Sequence, residues 1–283
     1  MSVGTVAIIP ARYRSTRLPG KALALIGDRA MICHVAERTR AARGLARVIV
    51  ATDDARIRDA VVASGGEVVM TRPDHASGTD RLAEVAAGIA ADVLVNVQGD
   101  LPLVDPGMIE LLAAHMAAWP DLEMATLATP IVDEAEWRQP SVVKLVVGLD
   151  GRALYFSRSP IPCDRDGIRA ADEPLGWRHV GMYAYRRATL LRLAALPPTP
   201  LEQREKLEQL RALEHGIAIG VIAWRGAEPL IEVDTPEDLE RARMAWEAAS
   251  AADAHRSTAP PAPRARGRRG GSHREPPLKR GAV

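Results

Sequence analysis

Short runs of β-branched residues alternate with amphipathic helical patterns in the first part of the chain, and this alternation constrains the fold most. Strands are predicted at Thr5–Ile9, Arg47–Ala51, Glu67–Met70 and Val93–Val97. Helices are predicted between them, at Ala30–Ala42, Ala55–Ser64, Asp80–Ala90 and Pro106–Trp119. Because strands and helices follow each other in this order, we expect an α/β fold with a mainly parallel sheet and helices on both faces.

The remaining predicted strands are spaced less regularly. Three of them lie around Glu123–Pro130, Val142–Val147 and His179–Tyr185. A last strand, Leu230–Val233, leads into a helix that begins at Pro236, where a proline at the first helical position is favourable.

The composition is that of an ordinary globular chain, with 47% hydrophobic and 26% charged residues in a length of 283. The longest apolar runs, such as Val93–Val97, are strand-sized, so we expect no membrane span. The N-terminus has no basic segment followed by an apolar stretch, so we expect no signal peptide and a cytoplasmic location. Cys33 and Cys163 lie far apart without a histidine cluster, which argues against a disulfide framework or a zinc site.

Charge divides the chain into two parts. After Ser250, the last 33 residues hold eight Lys or Arg and two acids, with Pro and Gly throughout. We therefore predict a folded domain over residues 1–250 and a disordered basic tail over residues 251–283. The tail could contact nucleic acid or a membrane surface, but no aromatic residue lies among its cations, which favours a solvated extension.

Four cations lie in the loop that follows the first predicted strand. Arg12, Arg14, Arg17 and Lys21 fall within ten residues, in the segment PARYRSTRLPGK. Ligands of parallel sheets gather at the carboxyl ends of strands, where this loop is expected. We interpret it as a site that wraps a polyphosphate with side-chain cations and backbone N–H groups, and the alternative is a solvated basic turn.

Two known phosphate-binding motifs do not fit this loop. A Walker loop requires glycine where Ser15 stands, and a hydroxyl residue where Ala22 follows Lys21. The dinucleotide fingerprint GxGxxG is also missing after the strand. Walker-type and dinucleotide-binding chemistry are therefore not expected.

Two carboxylates are candidate ligands for Mg²⁺, which a polyphosphate handled for transfer requires. Asp100 follows the buried run Val93–Val97, and Asp234 stands just before the helix that starts at Pro236. Asp238 is interpreted as a cap partner of that helix or as a charge that interacts with the helix dipole. The alternative for Asp234 is an ordinary turn residue.

Seven motifs together resemble the 3-deoxy-manno-octulosonate cytidylyltransferase family. In order, they are IPARYRSTRLPGK, VATDD, TRPDHASGTDRLAE, NVQGD, ALYFSR, IPCDRD and VDTPEDLERA, and the resemblance covers roughly residues 3–247. The resemblance implies a Rossmann-like nucleotidyltransferase fold. It also implies a Mg²⁺-dependent reaction in which CTP and 3-deoxy-D-manno-octulosonate (Kdo) give CMP-Kdo and pyrophosphate for the lipopolysaccharide core.

The resemblance further implies the residues of the site. The catalytic residues would be the cations Arg12, Arg17 and Lys21 and the metal ligands Asp100 and Asp234. CTP would also contact Pro10, Ala11, Arg72, Asp74, Ser77 and Gly78. The sugar would contact Arg81, Gln98, His179, Tyr183, Glu208 and Gln209. Arg81 suits the sugar carboxylate, because a guanidinium can bind a carboxylate in bidentate fashion.

Some positions stand apart from this assignment. Arg14 is interpreted as solvated and His75 as a structural or ribose contact rather than a base. Leu101 replaces an acid that the family usually carries next to the metal ligand, and Ser141 replaces an asparagine. The resemblance also implies a homodimer with a dimerisation segment around residues 153–185.

Two other functions remain open at this point. The chain could activate a related acid sugar, such as sialic acid or an amino-substituted Kdo, because a few pocket contacts separate these substrates. It could also be a catalytically silent nucleotide-binding subunit. The presence of both candidate metal carboxylates argues against the second alternative.

Overall fold

The computed structural model describes residues 4–15, 17–75, 77–170, 172–226 and 230–258, and only the backbone of 252–258. Two compact units are distinguished, Met1–Glu247 and Ala248–Val283. The strands are β1 (Thr5–Ala11), β2 (Leu25–Ile26), β3 (Arg29–Ala30), β4 (Leu45–Thr52), β5 (Glu67–Met70), β6 (Val93–Asn96), β7 (Met124–Ile131), β8 (Lys144–Val147), β9 (Ala153–Ser157), β10 (Gly176–Arg186) and β11 (Ile219–Ala223).

The helices are mostly short, and a 3₁₀ turn at Lys21–Leu23 precedes them. They are α1 (Met31–Arg40), α2 (Ala55–Ala63), α3 (Gly78–Ala87), α4 (Pro106–Ala118), α5 (Glu134–Arg138), α6 (Arg187–Ala195), α7 (Pro200–Glu205), α8 (Gln209–Glu214) and α9 (Pro236–Thr258). None of the helices in the described ranges combines the length and apolarity that a membrane crossing requires.

One nine-stranded sheet forms the centre of the first unit. Its strand order is β11-β7-β10-β6-β1-β4-β5, and β8 pairs with β10 and with β9. Strand β1 is parallel to β4 and β6, and β4 is parallel to β5. Strand β10 runs antiparallel to its neighbours β6, β7 and β8. The predicted α/β fold with a mainly parallel sheet is confirmed.

Strand β1 explains why the core has two layers. Val6 and Ile8 face one hydrophobic cluster and Ala7 and Ile9 face the other, since successive side chains of a strand point to opposite faces. All four are fully buried, as expected for a central parallel strand covered by helices on both sides.

A third, smaller hydrophobic cluster joins the β2–β3 hairpin to the start of α9. It contains Ile26, Met31, Val233, Leu239 and Ala242, with Trp246 packed against it. The Trp246 ring lies so close to Gly27 that a Cβ there would come within 2.5 Å of it, and Gly27 has a left-handed φ of 59°. Through this cluster, the loop after β1, which contains Leu18, packs against the segment before α9, which contains Val233.

The element predictions for the first part of the chain are confirmed within a few residues at each end. Leu230–Val233 is not a strand, because its described backbone forms no ladder and Val233 N–H donates instead to Asp100 C=O at 2.9 Å. Strands β2, β3, β9 and β11 and helices α5 to α7 were not predicted. Helix α9 continues to Thr258, eight residues past the boundary predicted at Ser250, and the rest of the predicted tail lies outside the described residues.

Candidate active site

A cleft of about 750 Å³ opens at the carboxyl ends of β1 and β6. The end of β1, the loop that follows it and the start of α3 supply most of the predicted CTP contacts that line it: Pro10, Ala11, Arg12, Arg17, Lys21, Ser77 and Gly78. Gln98 and Gly99, from the loop after β6, form its floor with Asp100. A Cβ at Gly99 would lie 2.7 Å from the Pro10 carbonyl, so only glycine fits there.

Lys21 is held at the centre of this cleft. Gly20 adopts a left-handed φ of 71° and donates its N–H to the Tyr13 carbonyl, which closes the loop before Lys21. The Lys21 ammonium donates to Asp100 Oδ2 at 2.8 Å and to Asp234 Oδ1 at 3.0 Å. Desolvation lowers the pKa of Lys21, but the two carboxylates outweigh it and raise the pKa above its ordinary value. The ammonium is therefore charged.

Three carboxylates converge on this ammonium. Oxygen atoms of Asp100, Glu232 and Asp234 lie within 4.8 Å of one another. The hydrogen bond from Val233 N–H to Asp100 C=O brings the two segments together, and a second Lys21 hydrogen bond, to Val233 C=O at 3.1 Å, reinforces it. A compact set of carboxylate oxygens suits a hard divalent cation.

Glu232 was not predicted, although the sequence carries a signal for it. In IEVD, Val233 is buried, so in extended backbone its neighbours Glu232 and Asp234 point to the other side together. Desolvation in the cleft, followed by repulsion from Asp100 and Asp234, raises the pKa of Glu232 to about 7. Because the Glu232 side chain is exposed to solvent, we attribute the raised pKa of Glu232 mainly to repulsion from Asp100 and Asp234.

The other cations of the loop surround this cluster. Arg17 Nη2 donates to Asp234 Oδ2 at 2.7 Å, with 64% of its side chain exposed. Arg12 and Arg14 line the same cleft and are also exposed. Tyr13 shapes the loop, since its ring lies beneath the Arg56 guanidinium at 3.4 Å. A charged ligand can therefore reach several cations without displacing buried groups.

Ser77 begins α3 and links the two halves of the site. Its hydroxyl accepts from Asp80 N–H at 3.1 Å, and Ser77 N–H donates to Asp80 Oδ2 at 3.0 Å, so that the pair forms a capping box. The same hydroxyl donates to Glu208 Oε1 at 3.2 Å.

Arg72 and Asp74 are not brought to the main cleft. They line a separate opening with His75, Asp80 and Glu84. Arg72 N–H donates to Glu84 Oε2 at 3.1 Å, and the His75 ring contacts the same oxygen, so this segment folds back on α3. Arg72 and Asp74 therefore lie apart from the main cleft and their CTP contacts stay predictions, whereas a structural role for His75 agrees with its contact.

A second cavity, of about 490 Å³, adjoins the first. Gln98, His179, Tyr183, Glu208 and Gln209, all predicted sugar contacts, line it. Five residues border both cavities: Arg17, Gly78, Gln98, Glu232 and Asp234. The carboxylate cluster therefore lies where the two cavities meet.

The inner wall of the second cavity is polar. Asn96 and Gln209 are each more than nine-tenths buried. Among the described residues, Asn96 Oδ1, Gln209 Nε2 and His179 Nε2 are buried without a hydrogen-bond partner. Since buried polar atoms are normally paired, these three are available to a polar ligand. Sequence reasoning missed Asn96.

Burial sets the protonation of this wall. Desolvation, with the nearby Arg178 charge, lowers the pKa of His179 to about 3, so the ring is neutral at ordinary pH. Desolvation raises the pKa of Glu208 and of Tyr183. The wall therefore offers donors and acceptors of the kind that bind hydroxyl groups, among them a neutral His179 ring.

Arg81 does not reach the second cavity. It is 4% exposed, its Nη2 lies 3.2 Å from Asp53 Oδ1, and its Nη1 donates to Thr71 Oγ1. Asp53, which follows β4, and Thr71, which follows β5, hold its guanidinium, and Arg81 lines the first cleft instead, so its sugar contact stays a prediction. Leu101 is 2% exposed and packs in the core, so it does not face the carboxylate cluster.

The comparisons with known proteins agree with this geometry. A family model described as cytidylyltransferase matches residues 6–219. A 3-deoxy-manno-octulosonate cytidylyltransferase of Syntrophotalea carbinolica is 53% identical over 240 residues, covering 83% of this chain and 95% of that protein. Its counterpart in Geobacter sulfurreducens is 52% identical over 242 residues, covering 83% and 96%.

Solved structures give the same result. A structure of CMP:2-keto-3-deoxy-manno-octonic acid synthetase complexed with CTP matches with a TM-score of 0.81 and 48% identity, covering 86% of this chain and 99% of that one. A cytidylyltransferase from Leptospira borgpetersenii, at 16% identity and a TM-score of 0.56, shares the fold. The chain thus belongs to the cytidylyltransferase family of nucleotidyltransferases and, within it, to the 3-deoxy-manno-octulosonate cytidylyltransferases.

Proposed function

We propose that this protein transfers CMP from CTP to Kdo and releases pyrophosphate. The observation that carries the proposal is the meeting of two cavities at Glu232 and Asp234, next to the ion pairs of Lys21 with Asp100 and Asp234. One cavity is lined by the cations of the loop after β1, as a polyphosphate donor requires, and the other includes buried polar atoms of Asn96, His179 and Gln209, which suit the hydroxyl groups of an acceptor. The names of the similar proteins include these substrates: one is a 3-deoxy-manno-octulosonate cytidylyltransferase, and the other is a CMP:2-keto-3-deoxy-manno-octonic acid synthetase complexed with CTP.

The nucleotide belongs in the cation-lined cleft. Arg12, Arg17 and Lys21 neutralise the triphosphate, and the backbone at Pro10–Ala11 and Ser77–Gly78 forms the walls around the nucleoside. Arg72 and Asp74 are not part of this proposal, since they line a different opening.

Mg²⁺ is the cation that the carboxylate cluster fits. Asp100 Oδ1 is buried and has no hydrogen-bond partner among the described residues, and all three acids offer hard oxygen ligands. Asp100 and Asp234 would hold the ion, which would supply charge neutralisation at the reacting phosphate. Lys21, which now bridges the same two carboxylates, keeps them together before the ion and the nucleotide bind.

The acceptor belongs in the second cavity. Gln98, His179, Tyr183, Glu208 and Gln209 bind its hydroxyl groups and orient the anomeric hydroxyl toward the α-phosphorus. The new oxygen–phosphorus bond forms as the bond to the β-phosphate breaks, and the hydroxyl proton passes to water in the cleft. Positioning and charge neutralisation supply the catalysis, without a covalent enzyme intermediate.

Pyrophosphate release measured with each nucleotide and sugar tests this function. We expect release with CTP and Kdo, little with UTP or ATP, and loss of release when Mg²⁺ is removed. Release with sialic acid but not with Kdo would reassign the acceptor. CTP binding without release from any acid sugar would identify a silent nucleotide-binding subunit.

A homodimer is also part of the proposal. Strand β9 exposes Leu154, with 63% of the residue accessible, and Leu149 and Ile168 are exposed in the same region of the chain. Light scattering should give twice the chain mass for the wild type. Leu154→Asp should shift the mass toward the monomer, while Val62→Asp on α2 should not. A monomeric wild type at micromolar concentration contradicts the proposal.

A further inference from the structure

The loop after β1 must hold several like charges together before a nucleotide arrives. Arg12, Arg14, Arg17 and Lys21 lie within ten residues, and repulsion among them favours an open loop. Ion pairs with Asp234 hold Arg17 and Lys21, in the second half of the loop. An anchor for the first half must come from elsewhere, because Arg12 and Arg14 are exposed in the cleft.

Tyr13 closes the loop on itself. Its carbonyl accepts a hydrogen bond from Gly20 N–H at 3.0 Å. Its ring also packs against Gly20, where a Cβ would lie 3.1 Å from the nearest ring carbon. Gly20 directly precedes Lys21. The position of Tyr13 therefore helps to determine where the backbone of Lys21 lies, and with it the ammonium between Asp100 and Asp234.

Arg56 holds Tyr13 from outside the loop. Its guanidinium carbon lies over the Tyr13 ring, 3.4 Å from the ring centroid. Asp54 fixes this guanidinium with both carboxylate oxygens, since Arg56 Nε donates to Oδ1 at 3.0 Å and Nη2 donates to Oδ2 at 2.7 Å. Asp54 is itself the N-cap of α2 and accepts from Arg56 N–H at 2.9 Å. The ring of Tyr13 is thus anchored to the start of a helix that follows β4, the strand that pairs with β1.

We propose that Arg56 is a positioning residue for triphosphate binding. It holds Tyr13, and through Tyr13 and Gly20 the backbone of Lys21, in the conformation that receives the phosphates. Arg56 is not among the described residues that line the two cavities, so it acts through the loop and not as a ligand of the nucleotide. A loop held in place before binding loses less conformational freedom when CTP arrives. This inference rests on the proposed function, because it requires a triphosphate in the cation-lined cleft.

Calorimetric titration of the full-length protein with CTP and Mg²⁺, without an acceptor, tests the proposal. Arg56→Ala should raise the Kd for CTP about two- to fivefold, as expected for the loss of an exposed cation–π contact. Arg56→Lys should fall between Arg56→Ala and the wild type, because lysine keeps the charge but not the plane that stacks on the ring. Arg58→Ala is the matched control: Arg58 lies on the same helix and its guanidinium pairs with Asp59, so the Kd for CTP should not change. Melting temperatures show that the variants are folded.

A double-mutant cycle shows whether Arg56 acts through Tyr13 or only through its charge. Tyr13→Ala should weaken CTP binding at least as much as Arg56→Ala, and Arg56→Ala should cause no further loss in the Tyr13→Ala protein, because the two residues act as a unit. A loss as large in the Tyr13→Ala protein as in the wild type would assign the effect to charge alone and overturn the positioning role.

Trypsin gives a readout that needs no nucleotide, since the loop offers cleavage sites after Arg14 and Arg17. Cleavage at these sites should be about two- to fivefold faster in Arg56→Ala than in Arg58→Ala, because local opening becomes easier by the same factor as CTP binding weakens. An unchanged Kd for CTP in folded Arg56→Ala, or equal cleavage rates in the two variants, overturns the positioning role while the proposed function stands. Failure of the wild type to bind CTP overturns the proposed function itself.

Discussion

Lys21 shows how one side chain can organise a site before any ligand arrives. Its ammonium lies between Asp100 and Asp234 and also donates to Val233 C=O. Without it, three carboxylates would repel one another within 4.8 Å. A buried charge left without its partner is strongly unfavourable, so Lys21 contributes to the folded cluster as well as to triphosphate binding.

The first prediction compares Lys21 with Arg14. Lys21→Ala should lower kcat/KM for CTP by about two to three orders of magnitude, since it removes a charge placed at the reacting phosphates. Arg14→Ala should change kcat/KM for CTP less than about threefold, because the Arg14 side chain is exposed on the same loop. Initial rates of pyrophosphate release measure both. Equal losses in the two variants would mean that the loop binds the triphosphate through a different set of cations.

The second prediction concerns His179 and acid stability. The pKa of His179 in the folded protein is about 3, below the ordinary 6.5, so between these values the unfolded chain takes up a proton that the folded protein does not. This contribution to stability is present above pH 6.5 and is lost as the pH falls toward 3. His179→Gln should therefore lose less stability than the wild type on acidification.

The size of this effect is moderate. A full shift would give about 2 kcal/mol between pH 6.5 and 5, but part of His179 reaches the cavity, so we expect about 1 kcal/mol. Urea unfolding of both proteins at pH 8, 6.5 and 5 gives the difference. Parallel pH profiles of the two proteins would show that the ring titrates normally in the folded state.

The residues of the site were predictable where chemistry and chain position agree. Lys21, Asp100 and Asp234 each follow a strand or open a helix, and the structure brings them together. The surroundings of Arg81 could not be predicted from the sequence, because its ion pair with Asp53, at 3.2 Å, joins two separate segments of the chain.

At the scale of elements, the start of α9 positions the carboxylate of Asp234. Asp238 accepts from Asp234 N–H at 3.1 Å and from Thr235 N–H at 2.9 Å, and its own N–H donates to Thr235 Oγ1 at 3.2 Å. The predicted cap role of Asp238 is thus confirmed. The cap also fixes the backbone that carries Asp234.

The third prediction tests this cap. Asp238→Ala should lower the free energy of unfolding by about 1 kcal/mol and also lower kcat. Glu240→Ala, in the same helix, removes only a surface ion pair with Arg243. It should change the free energy of unfolding and kcat very little. Denaturant unfolding and pyrophosphate release measure the two effects. A destabilised Asp238→Ala protein with unchanged kcat would separate the cap from the placement of Asp234.

The misassigned strand has a physical explanation. Leu230–Val233 and β11 (Ile219–Ala223) are similar short apolar runs, so sequence alone gives no reason to separate them. The difference is the partner: β11 pairs along β7 from Ile219 to Ala223, whereas Val233 N–H finds the loop carbonyl of Asp100. Sheet pairing between distant segments is a tertiary property, which a local pattern does not carry.

At the scale of the whole molecule, the fourth prediction concerns the C-terminal end. The first compact unit ends at Glu247, and Trp246 packs against the β2–β3 hairpin. A chain ending at Ser250 should keep its melting temperature within about 2 °C and its pyrophosphate release within about twofold. A chain ending at Arg243, which lacks Trp246, should melt several degrees lower. Equal melting temperatures for both would mean that Trp246 does not stabilise the unit.

The direction of β10 has a consequence for how this fold diversifies. Since β10 runs opposite to β6, its N-terminal half, from Arg178 to Tyr183, enters the edge where β1 and β6 end. Predicted CTP contacts such as Arg12 and Lys21 thus lie in the loop after a parallel strand, whereas the predicted sugar contacts His179 and Tyr183 lie on a strand that arrives at this edge from the opposite direction. A substitution at His179 or Tyr183 therefore alters the second cavity without changing a residue that lines the first.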